Sequence, residues 1–391
     1  MYNFDKIVDR RNTNSIKWDT NQNALPMWIA DMDFEVCPDI VEALQKRLDN
    51  HIYGYSYIPD EWYDAYINWW NEYHHFKMNK EWLMFSLGVV PSISSIVRRL
   101  TLPGENVLLQ TPVYNIFFNS VLNNGRNVIE NKLLYKDGVY SIDFQDLEEK
   151  LANPQTSMMI LCNPHNPIGK IWDYDTLKQI GDLCAKHHVI VVSDEIHCEI
   201  TRMKKEYIPF QSVSDNCLNN SITCISPTKT FNIAGLHTSA ISIPNPVLRH
   251  KVWRGINNDE IAEPNVFSVT GAVAAYTKGR TWLDEFRKYI DENIDFTKNY
   301  LNKNLPMLRL VETDATYLLW IDCSSITDNS VEFTQFLLKE TGLYLSDGLE
   351  YGEGGKTFVR MNIACPREYL KKGLTLLHQG INILITKKTN Q

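Results

Sequence analysis

Apolar runs and amphipathic stretches alternate through the middle of the chain. Short buried strands are predicted by the apolar runs at 157–164, 188–195, 220–226 and 238–244. Between the first two, residues 173–188 carry apolar side chains at helical spacing, which predicts a helix with Asp173 as its N-cap. The pattern predicts an α/β fold, in which a mostly parallel sheet is covered by helices and ligand sites lie at the carboxyl ends of the strands.

The C-terminal third has a different pattern. Helices are predicted at 281–305, 331–342 and 367–382, and strands with one face in water at 315–323 and 356–364. We interpret this part as a smaller α+β domain. The domain prediction is a large domain at 46–280 and a small domain formed by 1–45 together with 281–391.

An aromatic cluster lies at 61–76. Its members Trp62, Tyr66, Trp69, Trp70 and Tyr73 are spaced as one stripe of a helix, so packing is the first interpretation and lining of a substrate entrance the second. His74 and His75 are expected on the surface. Neither Cys nor His occurs at the spacing of metal ligands, so no metal site is expected.

Composition and charge narrow the function classes. The 391 residues are 44% hydrophobic and 22% charged with a net charge of −8, and Lys and Arg are scattered, so neither nucleic acid nor an anionic membrane is an expected partner. The N-terminus lacks the apolar segment of a signal peptide, and no apolar run is long enough to span a bilayer. Eight cysteines without C-x-x-C spacing are expected to be reduced core thiols of a cytoplasmic protein.

Two predicted strand ends carry possible binding groups. In SLGVVPSISSIVRR (86–99), Val89 and Val90 precede a helix predicted near Pro91. Their free N–H groups suit a phosphate, although by itself this stretch is better explained as a plain strand-to-helix turn. In CNPHNPIGK (162–170), Asn166 could donate to a ligand oxygen or bond its own backbone.

Two further strand ends carry charged groups. In VVSDEIH (191–197), Asp194 follows a buried strand and needs a partner, either a protonated ring nitrogen of a cofactor or a helix N-terminus. In SPTKTFNIAGL (226–236), Lys229 stands where its amine could form a Schiff base, with Ser226 within reach of a phosphate. Together the four strand ends supply the groups that pyridoxal phosphate requires. These are a lysine for its aldehyde, a carboxylate for its pyridinium nitrogen, an amide for its ring oxygen and N–H groups for its phosphate.

These motifs carry a family resemblance over nearly the whole chain. The matching segments are LPMWIADMDF (25–34), YGYS (53–56), SLGVVPSI (86–93), CNPHNPIGK (162–170), SDEIH (193–197), SPTKTFNIAGL (226–236) and VRMNIACPRE (359–368). In order and spacing the chain resembles the fold-type I pyridoxal-phosphate enzymes, the class I/II aminotransferase superfamily. Within it the chain is most similar to the carbon–sulfur lyase branch, the cystathionine β-lyases of the MalY/PatB type.

The resemblance implies roles around the cofactor. Lys229 would bind the cofactor aldehyde, Asp194 would keep the pyridine nitrogen protonated, and Asn166 would bond the phenolic oxygen. The N–H groups of Val89 and Val90, with Ser226, would hold the phosphate.

The resemblance implies further roles for residues that contact the substrate or the ring. Tyr114 would stack on the ring, and Arg360 would clamp the substrate α-carboxylate beside Ala30, which replaces a glycine common in aminotransferases. His197 stands three residues after Asp194 where aspartate aminotransferases have tyrosine, and this form is typical of the lyase branch. His237 occupies the place of a common phosphate-binding arginine.

The implied reaction is β-elimination from sulfur-containing L-amino acids such as cystathionine or cysteine. Its products are pyruvate, ammonia and a thiol, either homocysteine or hydrogen sulfide. Lys229 would take the Cα proton, and Tyr55 or Tyr114 would help the leaving group. The resemblance also implies a homodimer in which Tyr55 reaches the neighbouring active site. The alternatives are an aminotransferase that uses the same residues and a regulatory binding protein.

Overall fold

The helices follow the predicted amphipathic stretches. A computed structural model describes residues 2–389 of the chain. Its helices are α1 (Ile16–Asp19), α2 (Pro38–Leu48), α3 (Asp60–Tyr73), α4 (Val89–Leu100), α5 (Ile116–Leu122), α6 (Phe144–Leu151), α7 (Tyr174–Lys186), α8 (Asp215–Asn219), α9 (Pro246–Asn258), α10 (Ser268–Lys278), α11 (Arg280–Asn304), α12 (Ser330–Thr341) and α13 (Arg367–Thr389). The predicted N-cap of α7 is confirmed, because Asp173 Oδ1 accepts the backbone N–H of Thr176 at 2.8 Å.

The strands form one large and one small principal sheet. They are β1 (Leu25–Pro26), β2 (Leu83–Ser86), β3 (Asn106–Thr111), β4 (Asn127–Lys132), β5 (Leu134–Lys136), β6 (Val139–Ser141), β7 (Thr156–Cys162), β8 (Ile190–Asp194), β9 (Ser221–Ile225), β10 (Ser239–Ser242), β11 (Arg309–Leu310), β12 (Leu318–Asp322), β13 (Leu343–Tyr344), β14 (Ser346–Asp347) and β15 (Phe358–Asn362).

The large sheet has the order β2-β10-β9-β8-β7-β3-β4, and β10 alone runs antiparallel to its neighbours. Successive residues of β7 point to opposite faces: Met159 packs with α6 and α7, and Met158 packs with α4 and α9. Both faces are therefore covered, which is why β7, β8 and β9 are mostly apolar on both faces. The predicted α/β fold with a mostly parallel sheet is confirmed.

The small sheet, β11-β12-β15-β14, contradicts the predicted wet face. One side of β12 and β15 packs with the C-terminal helices through residues such as Leu319 and Met361. On the other side Trp320 stacks on Phe358 at 5.1 Å and donates to the Tyr140 hydroxyl on β6 at 3.1 Å. The second face is dry because the β5–β6 hairpin covers it. The large sheet falls within 46–280 and this one within 281–391; the placement of 1–45 and the domain boundaries stay predictions.

The aromatic stripe of α3 is a packing surface, as first interpreted. Trp62, Tyr66, Trp69 and Trp70 are each at most 2% exposed and pack against α10. The surface assignment of His74 was wrong: its side chain is 9% exposed, and its Nε2 lies 2.6 Å from Glu199 Oε1.

Two further predictions concern the thiols and the membrane. All eight cysteines are buried and unpaired, as expected of core thiols. Within residues 2–389, none of the helices combines the length and apolarity that a bilayer-spanning segment needs.

Candidate active site

A cavity of about 250 Å³ lies at the carboxyl ends of β2, β3, β7, β8 and β9. This is the edge where ligands bind in parallel α/β sheets. The cavity brings together eight of the residues predicted from the sequence: Ala30, Val89, Val90, Tyr114, Asn166, Asp194, His197 and Lys229. They come from six separate segments of the chain.

Lys229 supplies the one primary amine in the described wall of this cavity. Its Nζ donates a hydrogen bond to the carbonyl oxygen of Ala30 at 2.6 Å. Burial lowers the pKa of this amine; Asp31 and Asp194 act in the opposite direction, and Arg360 adds to the lowering. A lysine with a lowered pKa keeps more of its amine unprotonated near neutral pH than a surface lysine, so more of it is available to attack an aldehyde or accept a proton.

Asp194 ends β8 with its side chain 4% exposed. Its Oδ1 accepts the Ile196 N–H at 3.0 Å, and it has no salt bridge within residues 2–389. Burial raises the pKa of this carboxyl to about 7, against the Ile196 N–H and Lys229, which lower it. A protonated ring nitrogen would supply the missing counter-charge.

Arg360 does not itself line the cavity but contacts Asn166 of the cavity wall. Arg360, on β15, donates from Nη1 to Asn166 Oδ1 at 3.1 Å and from Nη2 to Trp28 O at 2.9 Å. Its guanidinium lies 4.8 Å over the ring of Tyr351. Although the residue is only 4% exposed, its Nε has no partner within the described part of the chain. This buried fork is suited to an incoming carboxylate.

The start of α4 is the predicted phosphate end of the site. Val89 and Val90 are its first residues, and the first N–H groups of a helix have no intrahelical acceptor. Ser226 does not line the cavity: its Oγ donates to Thr238 O at 2.7 Å and also bonds Thr228 Oγ1 at 2.7 Å. Thr228 lines the cavity in its place, so a phosphate contact by Ser226 stays a prediction.

Of the three predicted aromatic site residues, two line the cavity and one lies outside it. Tyr114 and His197 line the cavity. His197 Nδ1 has no partner within residues 2–389, and burial, with Lys229 and Arg360, lowers its pKa to about 3, so the ring is neutral near pH 7. Tyr55 is fully exposed and is not part of the cavity wall of its own chain.

Sequence reasoning missed part of the wall. Cys162, Ile196 and Ala234 line the cavity, and Tyr351 lies beneath Arg360. The first three stand inside the quoted motifs, so their place along the chain was a usable signal. Tyr351 has no such signal, because it belongs to a glycine-rich turn whose approach is a matter of tertiary packing.

The donor set fits pyridoxal phosphate. One cavity is surrounded by a buried amine, a buried carboxyl without a counter-charge, a side-chain amide and free helix N–H groups. The fold and this site define the class: an α/β enzyme of fold type I that works with pyridoxal phosphate.

Comparisons with known proteins agree with this enzyme class. Residues 16–377 match the family model described as aminotransferase class I and II, and the chain belongs to this family. It is 43% identical to the cystathionine beta-lyase PatB of Bacillus subtilis, over 97% of this chain and all of that one. It is 33% identical to the protein MalY of Escherichia coli, over 97% of this chain and 99% of that one.

Solved structures give the same result. Cystalysin of Treponema denticola, which contains a pyridoxal 5'-phosphate cofactor, is 32% identical with a TM-score of 0.95, covering 98% of this chain and all of that one. The PLP-bound C-S lyase of Staphylococcus hominis is 33% identical with a TM-score of 0.91, covering 97% and 98%.

Proposed function

We propose that the protein is a pyridoxal-phosphate-dependent carbon–sulfur β-lyase. It cleaves sulfur-containing L-amino acids such as L-cystathionine or L-cysteine by β-elimination to a thiol and aminoacrylate, and water then hydrolyses the aminoacrylate to pyruvate and ammonia. The observation that carries the proposal is that Lys229 and Asp194 line one cavity, while the Arg360 fork bonds Asn166 of the same cavity wall. Support comes from the relative named cystathionine beta-lyase, which is 43% identical over 97% of this chain.

The chain's residues would hold the cofactor at both ends. Val89 and Val90 would bind its phosphate through backbone N–H groups, Asp194 would hold a proton at its ring nitrogen, and Asn166 would bond its phenolic oxygen. When bound, the cofactor supplies an aldehyde that captures the substrate amine and a ring that withdraws electrons from Cα.

The substrate is oriented and deprotonated by two residues. Arg360 binds the α-carboxylate through two parallel N–H donors, which fixes the direction of the Cα–H bond. The Lys229 amine removes the Cα proton; its lowered pKa keeps more of it unprotonated near neutral pH. The thiolate then leaves from Cβ, and Tyr114 or Tyr55 would protonate it. His197 stays neutral throughout because it is buried beside two cationic groups.

We also propose a homodimer in which Tyr55 of one subunit reaches the cavity of the other. The arm 51–59 supports this, because it has no regular structure and exposes Ile52, Tyr53, Tyr55 and Tyr57 by 50% or more. Exposed apolar groups in such number are typical of interfaces. The protein is proposed to work in a reducing compartment, the cytoplasm, where its eight unpaired thiols are stable.

The test uses the purified holoenzyme with L-cystathionine and no keto acid. Pyruvate and free thiol in equal amounts are expected, and a Lys229→Ala control, checked for its folded state by circular dichroism, is expected to form neither. Turnover of cystathionine, cysteine and S-alkyl cysteines that requires added keto acid would instead indicate an aminotransferase.

A further inference from the structure

One loop beside the active site is held largely by side chains. We call residues 28–34 the strap; it follows β1 and includes Ala30 of the cavity wall. Nearly every carbonyl oxygen of the strap accepts a side-chain donor: Trp28 O from Arg360 and Ser346, Ile29 O from Asn362, Ala30 O from Lys229, Asp31 O from Asn362 and Lys17, Met32 O from Arg10 and Asn232, and Phe34 O from Asn232.

Two of these donors are the reacting lysine and the carboxylate fork. Lys229 Nζ bonds Ala30 O at 2.6 Å, and Arg360 Nη2 bonds Trp28 O at 2.9 Å. The two acceptor oxygens are two residues apart on one short segment. A displacement of the strap therefore moves an acceptor of the base and an acceptor of the substrate clamp together.

Asn232 ties the strap to the lysine loop. It stands three residues after Lys229 with a left-handed φ of 57°. Its Oδ1 accepts the Met32 N–H at 3.2 Å, and its Nδ2 donates to Phe34 O at 2.9 Å and Met32 O at 3.4 Å. The side chain therefore pairs with the strap as a neighbouring strand would.

Asn362 ties the strap to the clamp strand. It stands two residues after Arg360 on β15 and is 1% exposed. Its Nδ2 donates to Ile29 O at 2.6 Å and to Asp31 O at 2.8 Å, while its Oδ1 accepts the Ala364 N–H at 2.8 Å. A buried amide with every hydrogen-bonding atom engaged fixes its neighbours firmly.

We propose that Asn232 and Asn362 are positioning residues of the active site and act through the strap. Asn232 fixes the strap at Met32 and Phe34, and Asn362 fixes it at Ile29 and Asp31, on both sides of Ala30. Together they keep Ala30 O against the Lys229 amine and Trp28 O against the Arg360 guanidinium. The inference rests on the proposed function for the roles of Lys229 and Arg360, although the tethering itself is independent of the substrate.

The first test is Asn232→Gly, because glycine keeps the left-handed backbone without strain and removes only the side chain. Asn14→Gly is the matched control: it is an exposed asparagine with a φ of 60° that takes no part in the strap's hydrogen bonds. Hydrogen–deuterium exchange of the peptide covering 28–34, in cofactor-free protein, is expected to quicken about tenfold in N232G and to stay unchanged in N14G.

Kinetics of the holoenzyme distinguish positioning from folding. With an S-alkyl cysteine as substrate, N232G is expected to lower kcat about tenfold with KM within threefold, because the disturbed contact is that of the base. Asn362→Ser is expected to lower kcat and to raise KM, each about tenfold, because Asn362 bonds the strap on both sides of Ala30 and so holds the acceptors of the base and of the clamp together. Each effect is the size of one net hydrogen bond.

The outcomes separate the two proposals. A lower Tm with unchanged kcat and KM in the loaded variants would make both asparagines merely structural and overturn the inference. Unchanged exchange at 28–34 in N232G would overturn it as well, and this arm decides even where N362S does not fold. A wild-type enzyme that exchanges as expected but forms no pyruvate would instead refute the proposed function.

Discussion

Ionised Asp194 is predicted to lower the unfolding free energy of the cofactor-free protein at neutral and higher pH. The perturbation is Asp194→Asn, which keeps the shape and the oxygen that accepts the Ile196 N–H but removes the ionisable group. Burial raises the pKa of this carboxyl from an ordinary 3.8 to about 7. The unfolded chain therefore ionises at a lower pH than the folded protein, and stability is lost as pH rises from about 4 to about 7.

The magnitude follows from that difference. At roughly 1.4 kcal/mol per pKa unit, the full penalty on the folded state is about 4 kcal/mol, reached above about pH 7. At pH 5 the penalty covers only the interval from the ordinary pKa of 3.8 up to pH 5. The stability lost by then is about 1.5 kcal/mol at the same rate. The asparagine carries no such penalty, so the advantage of D194N in cofactor-free protein is expected to grow by about 2–3 kcal/mol between pH 5 and pH 8.

The assay is urea unfolding of cofactor-free wild type and D194N at both pH values. Glu195 also has its pKa raised to about 7 by burial, but it is present in both proteins and cancels in the difference. An advantage of equal size at pH 5 and pH 8, or a D194N that is the less stable protein at pH 8, would refute the reasoning. The loaded variant is expected to lose activity by about 10²–10³-fold, because a buried charge pair with the ring is broken.

Three further predictions use other parts of the molecule. Arg360→Lys replaces a bidentate fork by a single ammonium, so KM for L-amino acids is expected to rise about 10–100-fold in steady-state assays, and an unchanged KM would remove the clamp assignment. The Tyr55→Ala and Lys229→Ala proteins are each expected to be inactive, but a mixture that is unfolded and refolded together is expected to regain activity. The reason is that one of the two sites in a hybrid dimer then contains both Tyr55 and Lys229. If the mixture recovers no more activity than the separately refolded proteins, Tyr55 does not cross between subunits. Asp173→Ala removes the N-cap of α7 and is expected to cost about 1 kcal/mol of unfolding free energy in urea with kcat unchanged.

The order of strands and helices was readable from local patterning. Most residues of β7, β8 and β9 are apolar on both faces because helices cover both faces. The start of α7 was predicted from Asp173, a residue type that favours the N-cap position. Since the carboxyl ends of parallel strands meet at one edge, Asn166 and Asp194 were expected near one another before any distance was known. The resemblance added the assignment of Arg360, which lies far along the chain.

What surrounds a side chain was decided only by tertiary structure. Apolar and polar residues alternate along β12 and β15 as in strands with one face in water. The β5–β6 hairpin nevertheless covers Trp320, which contacts Tyr140 across 180 residues. His74 pairs with Glu199 across 125 residues.

The strap shows the same limit inside the site. Asn232 and Asn362 look like ordinary loop and strand asparagines in the sequence, because their partners on the strap lie about 200 and 330 residues away. Local periodicity reports which way a side chain points, whereas the group it meets depends on how distant segments pack. The sequence by itself therefore determined the elements and the chemical groups of this protein, and the folded chain alone decided which backbone oxygens hold its lysine and its arginine in place.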